Sequence, residues 1–454
     1  MSEIILNAFS MNTPNHLSSG LWRHPRDRSR GYRTLEHWLD LARTLEAGGI
    51  DVLFLADVLG VYDVYGGSPD AALRAGAQVP VGDPLQLVPA MASVTETLGF
   101  GVTASVSFEH PFPFARRIST ADHLTNGRIG WNIVTSYLSS GALNLGVSGQ
   151  VAHDRRYDIA DEYLEVCYRL WEGSWADDAV VADAASGVYV DPAKVRAIDF
   201  AGEFFRVPGL HLAEPSPQRT PFLFQAGASP RGLRFAARHA EAVFVAAPSD
   251  AVLAKQVAAV RAAVAEAGRD PDTVPVINQQ TVILAATDAD AEALYREYLE
   301  VADPIGAAVL LSGWTGIDFS RLDPNAPLAA QGSDAIQSAV DAFTAADPSR
   351  VWTPREIADY ARIGGDGPVV VGSPSTVADV LERTVETTGV SGFNLAATVS
   401  PEGWEQLTGL LVPELRRRGR RPAEPRRGTL REKLSGAGAR VADDHAAAAF
   451  RHTS

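Results

Sequence analysis

Apolar positions along this chain switch between two periods. Short, nearly continuous apolar runs mark strands covered on both faces, as in a parallel sheet. The runs are Ile4–Ala8, Asp51–Ala56, Gly99–Ser107, Ile129–Val134, Pro221–Gln225, Ala242–Ala246, Val274–Ala285 and Gly392–Ala397. Stretches with helical spacing lie between them. From Thr34, the residues Leu35, Trp38, Leu39, Ala42 and Leu45 share one face, and Gly48-Gly49 ends the helix. Asp83-Pro84 opens a helix to about Leu98, with Asp as N-cap and Pro in the first turn. Further helices are expected over Phe114–Thr125, Tyr157–Trp171, Pro230–His239, Asp250–Ala267, Ala289–Val301, Pro374–Thr387 and Pro401–Arg417. Two stretches break the alternation: about 175–220, irregular with short β pieces, and about 303–366, polar with one helix around Ala335–Ala346.

Strand–helix units thus recur from end to end, and about eight strands suit a (β/α)8 barrel enlarged by insertions. An open doubly wound sheet fits less well, because no unit stands out as a dinucleotide-binding half. Residues 1–415 read as one barrel domain, and 416–454 as a basic, alanine-rich, flexible tail.

Composition narrows the function. Hydrophobic residues make up 46% of the 454, enough for a large core, and the net charge of −15 argues against nucleic acid or anionic membranes as partners. The lone Cys167 excludes a disulfide framework and reads as a small buried hydrophobe on a helix face. Nothing near the N-terminus reads as a signal peptide, and no apolar run reaches the roughly 20 residues that span a bilayer, so a cytoplasmic protein is expected.

Two familiar chemistries fail on context. Gly99-Phe-Gly-Val-Thr-Ala104 matches a loose dinucleotide fingerprint, but its glycines begin a strand instead of following one. No serine sits in a Gly-x-Ser-x-Gly elbow, and His110, His123 and His153 are too scattered for a zinc site. Asp57, Glu96 and Glu109 lie near strand ends without a pattern that selects them as a carboxylate pair.

Other residues converge on a ligand. Phe222-Leu-Phe-Gln-Ala-Gly-Ala-Ser-Pro-Arg-Gly232 carries an apolar strand into Gly227, an N-cap Ser229 and Pro230. A helix start of this kind, aided by Arg231, suits a phosphate, although an ordinary capped helix satisfies the same residues. His153 and Tyr157 stand four apart at a helix start and can face one ligand, while Arg155 and Arg156 between them suit a solvated face equally well. Asp57 ends a hydrophobic strand, where barrel enzymes place functional acids.

These segments resemble the bacterial luciferase-like superfamily, and within it the FMN-dependent monooxygenases typified by nitrilotriacetate monooxygenase, pristinamycin synthase and dibenzothiophene-sulfone monooxygenase. The resemblance rests on Asp83-Pro84, His110-Pro-Phe-Pro-Phe-Ala-Arg116, Gly127-Arg-Ile-Gly-Trp-Asn-Ile-Val-Thr-Ser136, Arg156-Tyr-Asp-x-Ala-Asp-Glu-Tyr163 and Gln225-Ala-Gly-Ala-Ser-Pro-Arg-Gly232. It implies a TIM barrel with FMN at the carboxyl ends of the strands. Asp57 and Thr103 would lie at the flavin, His153 and Tyr157 would flank it, Ser229 would bind the phosphate, and Asn132 is a weaker candidate near the ring. Reduced FMN, supplied by a separate NAD(P)H:flavin reductase, would react with O2 to a flavin hydroperoxide that oxygenates a small organic substrate. A homo-oligomer, dimer or tetramer, is implied too, and residues 303–366 would cover the site. A deazaflavin-dependent oxidoreductase of the same superfamily and a non-catalytic flavin-binding protein are the alternatives. No catalytic acid or base is singled out; His16, Trp22, Arg23, Tyr62, Tyr65 and His110 are candidates for the substrate side.

Overall fold

A computed structural model of the chain describes residues 3–227, 229–328, 351–365 and 367–452. Its centre is a parallel sheet of nine strands in chain order: β1 (Ile5–Met11), β2 (Val52–Ala56), β3 (Gly99–Ser105), β4 (Ile129–Val134), β5 (Phe222–Gln225), β6 (Ala242–Val245), β7 (Val276–Leu284), β8 (Val369–Gly372) and β9 (Gly392–Ala396). The sheet closes on itself. β1 pairs with β2 on one side and β9 on the other, and β6 pairs with β7. Eight strands form the ring. β8 joins only the outer half of β7, from Thr281 opposite Val369 to Leu284 opposite Gly372.

The main helices are α1 (Leu35–Gly48), α2 (Pro111–Leu124), α3 (His153–Tyr168), α4 (Pro230–His239), α5 (Asp250–Glu266), α6 (Asp288–Val301), α7 (Pro304–Thr315) and α8 (Pro374–Thr388), with a short α9 (Leu430–Ser435). Most of them bury their apolar faces on the outside of the ring, as Trp38, Ala42 and Leu45 of α1 do, while α7 and α9 pack elsewhere. Among the described residues no helix is long and apolar enough to cross a membrane. Cys167 is buried, as its helix face implied.

Inside the ring, Phe54, Phe222, Phe224 and Ile277 fill the lumen. They leave no room for side chains on the facing strands. A Cβ on Gly101 would lie 2.5 Å from Phe54, and one on Gly130 2.5 Å from Phe224. The glycines of Gly99-Phe-Gly therefore answer to lumen packing, with no nucleotide in view.

Several expectations change. The helix expected from Pro84 to Leu98 is a single turn (Pro84–Gln86) followed by Val88–Ala92, since Pro89 removes a backbone donor within it. The helix expected to open at Tyr157 begins four residues earlier, at His153. The 175–220 insertion holds two small antiparallel pairs, Val180–Asp183 with Val188–Val190 and Phe200–Ala201 with Arg206–Val207. The 303–366 insertion contributes α7 and Pro354–Tyr360, while the helix expected around Ala335–Ala346 lies outside the described residues.

The segment after Leu415, expected to be a flexible tail, is packed. α9 drives Leu430 and Leu434 into the amino-terminal end of the lumen. Buried Arg431 pairs with Glu241, Arg421 with Asp51, and Arg440 with the fully buried Glu172. Arg431 and Arg440, which help to make the segment look solvated, are the counter-charges of the buried Glu241 and Glu172.

Candidate active site

The carboxyl ends of the strands gather nearly every ligand candidate. β2 ends on Asp57. Burial pushes its carboxyl up to about 7, the nearby negative Asp83 adds to the rise, and one backbone hydrogen bond from Val58 opposes it. Thr103 of β3 and Asn132 of β4 are register partners, both turned into the lumen like Gly101 and Gly130 two residues before them. Asn132 Nδ2 donates to Thr103 Oγ1 at 2.9 Å. Asn132 Oδ1 is buried without a hydrogen-bond partner among the described residues.

Next to β4 in the ring, β5 leads into the start of α4. Ser229 caps it, accepting the Gly232 N–H at 3.0 Å, and lies 3.3 Å from His153 Nε2. His153 Nδ1 is 2.7 Å from the Asp154 carboxylate. Tyr157, only 6% exposed, packs against the His153 ring and against the first turn of α4. A Cβ on Gly232 would come within 2.7 Å of its hydroxyl. Burial raises the Tyr157 phenol, so it stays protonated and able to donate.

Arg231 does not assist there as the sequence suggests. Its guanidinium donates to Asp158 and Asp161 at 3.2 and 2.6 Å. Arg155 likewise turns outward, to Glu203 and Asp158.

Above the floor, loops from three elements meet in one polar cluster. Tyr62 donates to Gln78 Oε1 at 2.9 Å, lies 2.5 Å from the Tyr137 hydroxyl, and accepts the Trp314 indole N–H at 3.2 Å. Gln78 Nε2 in turn donates to the His16 carbonyl at 2.9 Å. The His16 ring packs edge-on against Phe9 at 4.4 Å, and burial lowers its pKa to about 3, so it is neutral. Trp314 is on α7, which brings the second insertion over the mouth.

Of the proposed substrate-side residues, His16 and Tyr62 are in this cluster and the others serve the scaffold. Trp22 donates to the Ala75 carbonyl, Arg23 to the carbonyls of Gly20 and Val301, His110 caps α2, and Tyr65 packs beneath α7. Glu96 is at the amino-terminal end, beside Arg427. Gln78, Tyr137 and Trp314 escaped the sequence reading. Gln78 in particular has a left-handed backbone, φ 52°, inside a loop without periodicity.

A closed parallel barrel whose strand ends converge on polar groups in this way defines an α/β-barrel enzyme. Within that class, the chain belongs to the luciferase-like monooxygenase family, whose model matches residues 9–392. It is 50% identical to the dimethyl-sulfide monooxygenase of Hyphomicrobium sulfonivorans over 450 residues, 99% of this chain and 94% of that one. It is 44% identical to the long-chain alkane monooxygenase of Geobacillus thermodenitrificans, covering 100% and 99%. The crystal structure of DmoA from Hyphomicrobium sulfonivorans superposes with a TM-score of 0.94 over 99% of this chain and 96% of the other. A riboflavin lyase solved with modified FMN and riboflavin superposes at 0.91 with 35% identity, covering 100% of both chains. The expected luciferase-like barrel and monooxygenase activity both hold.

Proposed function

We propose that the protein is the oxygenase of a two-component system, using reduced FMN and O2 to oxygenate a small, uncharged organic molecule. The observation that carries this is the contact of His153 with Ser229 at the start of α4, beside the strand end that carries the Thr103–Asn132 pair. One side presents helix N–H groups to an anion, and the other a buried, unpaired acceptor. These ends suit a phosphate and the N–H edge of an isoalloxazine ring.

In this reading Ser229 and His153 hold the phosphate, Tyr157 packs beside it, and Thr103, Asn132 and Asp57 line the ring. Bound reduced FMN supplies the electrons that activate dioxygen, so that one oxygen atom enters the substrate and the other leaves as water. The protein's part is placement and exclusion of water. Asp57, with its pKa near 7, can hold or release a proton at the mouth. Tyr62, Tyr137, Gln78 and neutral His16 offer hydrogen bonds without net charge. That lining supports an uncharged substrate, such as a small thioether or an alkane, over a polyanion. A separate NAD(P)H:flavin reductase supplies the reduced flavin.

The test is to supply photoreduced FMN and oxygen-18 to the purified protein, and to measure product label and hydrogen peroxide for a thioether, an alkane and an aminopolycarboxylate. Label in the thioether or alkane product, with peroxide falling to match, supports the reading. NADH oxidation by the protein alone, at the rate of substrate oxidation, overturns the two-component part.

A further inference from the structure

Arg156 is an exception among the cations around the mouth. It stands on the first turn of α3, three residues after His153 and so on the histidine's side of the helix. Its Nη1 donates to the carbonyl of Ser136, just past the end of β4, and its buried Nε has no acceptor among the described residues. Among those residues, no carboxylate lies within ion-pair distance of it. Its neighbours differ: Arg155 is matched by Glu203 and Asp158, Arg169 by Glu165, and Arg231 by Asp158 and Asp161. A half-buried guanidinium with one hydrogen bond and no counter-charge is unfavourable unless a ligand supplies the anion. Ser136 helps to fix where that anion sits. Its backbone is left-handed, φ 55°, and its hydroxyl is tied to Ser105 at 2.8 Å, so the carbonyl that anchors Arg156 is itself held.

We infer that Arg156 is the cationic ligand of the flavin phosphate, closing from the β4 side a grip that Ser229 and His153 form from the α4 side. The inference rests on the flavin-nucleotide reading above and adds to it the group that discriminates FMN from riboflavin. A phosphate monoester carries close to two negative charges at neutral pH, more than the partial positive charge of a helix start and one hydroxyl compensate. Arg231, the cation the local sequence offers, is already neutralised by two aspartates.

The experiment compares dissociation constants of oxidised FMN and of riboflavin, by flavin-fluorescence titration of the full-length wild type and of R156Q, R156K and R155Q, with thermal melts as a folding check. R156Q is expected to weaken FMN by about tenfold to a hundredfold and riboflavin by less than about twofold. R156K recovers part of the loss, because lysine restores charge without the planar fork. R155Q, whose charge faces Glu203, binds both flavins as the wild type does. If R156Q weakens both flavins equally, Arg156 is only a brace for the Ser136 loop and the inference fails. It fails too if FMN binding is unchanged in a folded R156Q. A wild type that binds FMN no more tightly than riboflavin overturns the underlying phosphate reading instead.

Discussion

Arg431 and Glu241, 190 residues apart in the chain, meet in the interior with guanidinium nitrogens 2.5 and 2.9 Å from the carboxylate oxygens. Both are buried, and the same guanidinium also donates to the carbonyls of Thr220 and Pro221. Burial alone would push Glu241 up, and the Arg431 charge overrides it and holds the carboxyl below its usual value. Removing one partner leaves the other charged and dry. R431M is expected to destabilise the protein by about 3–5 kcal/mol in urea titrations, and R431M/E241L to recover most of that loss. An R431M protein as stable as the wild type would reduce the pair to a bystander.

Asp57 gives the opposite pH dependence. Its folded pKa of about 7 lies above the ordinary 3.8, so the folded state holds this proton more tightly than the unfolded chain. Its contribution to stability therefore falls as pH rises between those two values. Asp57→Asn removes the titration and keeps the shape. The variant's melting temperature is expected to equal that of the wild type near pH 4, within experimental error, and to exceed it by a few degrees near pH 8. Parallel melting curves across the range would show that Asp57 is ionised throughout.

The eight ring strands were legible because each is covered on both faces, which forces a continuous apolar run. β8 was not, since Val369–Gly372 adds to one side of β7 outside the ring and follows the glycine-rich Gly364-Gly365. The segment after Leu415 misled for a different reason. Local composition reads Arg431 and Arg440 as solvated, and only the fold reveals that Glu241 and Glu172 need them. At the site, Asp57, Thr103, Asn132, His153, Tyr157 and Ser229 carry motif signals at strand ends or helix starts. Gln78, Tyr137 and Trp314 do not, because their meaning lies in contacts between separate loops.

Ser229 and His153 act at one end of the proposed cofactor. Ser229→Ala removes both the α4 cap and a phosphate donor. It should cost about 0.5–2 kcal/mol of stability as well as flavin affinity. His153→Ala leaves the cap in place and should weaken FMN binding by about 1–3 kcal/mol with little change in melting temperature. Titration calorimetry beside thermal melts separates the two. An unchanged FMN dissociation constant in His153→Ala would take that residue out of the site.

Tyr62 is the node of the mouth cluster, and its hydroxyl serves three partners at once. Tyr62→Phe strips the hydroxyl, leaving the Gln78 carbonyl oxygen and the Trp314 N–H without the partner each has now. Both are held by separate elements, so the loss loosens the loop after β2 against α7 as well as deleting one bond. Tyr137→Phe removes the bond between the two phenols and the Tyr137 interaction with Trp314, and leaves the Tyr62–Gln78 bond in place. If the cluster seals the oxygenation site, Tyr62→Phe raises the peroxide released per reduced FMN several-fold and lowers product accordingly, because water reaches the activated oxygen before the substrate does. Tyr137→Phe shifts that ratio less, and Tyr62→Phe does not change FMN affinity, since Tyr62 follows β2 and Ser229 follows β5. Assays with limiting reduced FMN that count peroxide and product together decide it. Full coupling in Tyr62→Phe would mean that the seal is made elsewhere and that this hydroxyl serves only to position Gln78 against the His16 carbonyl.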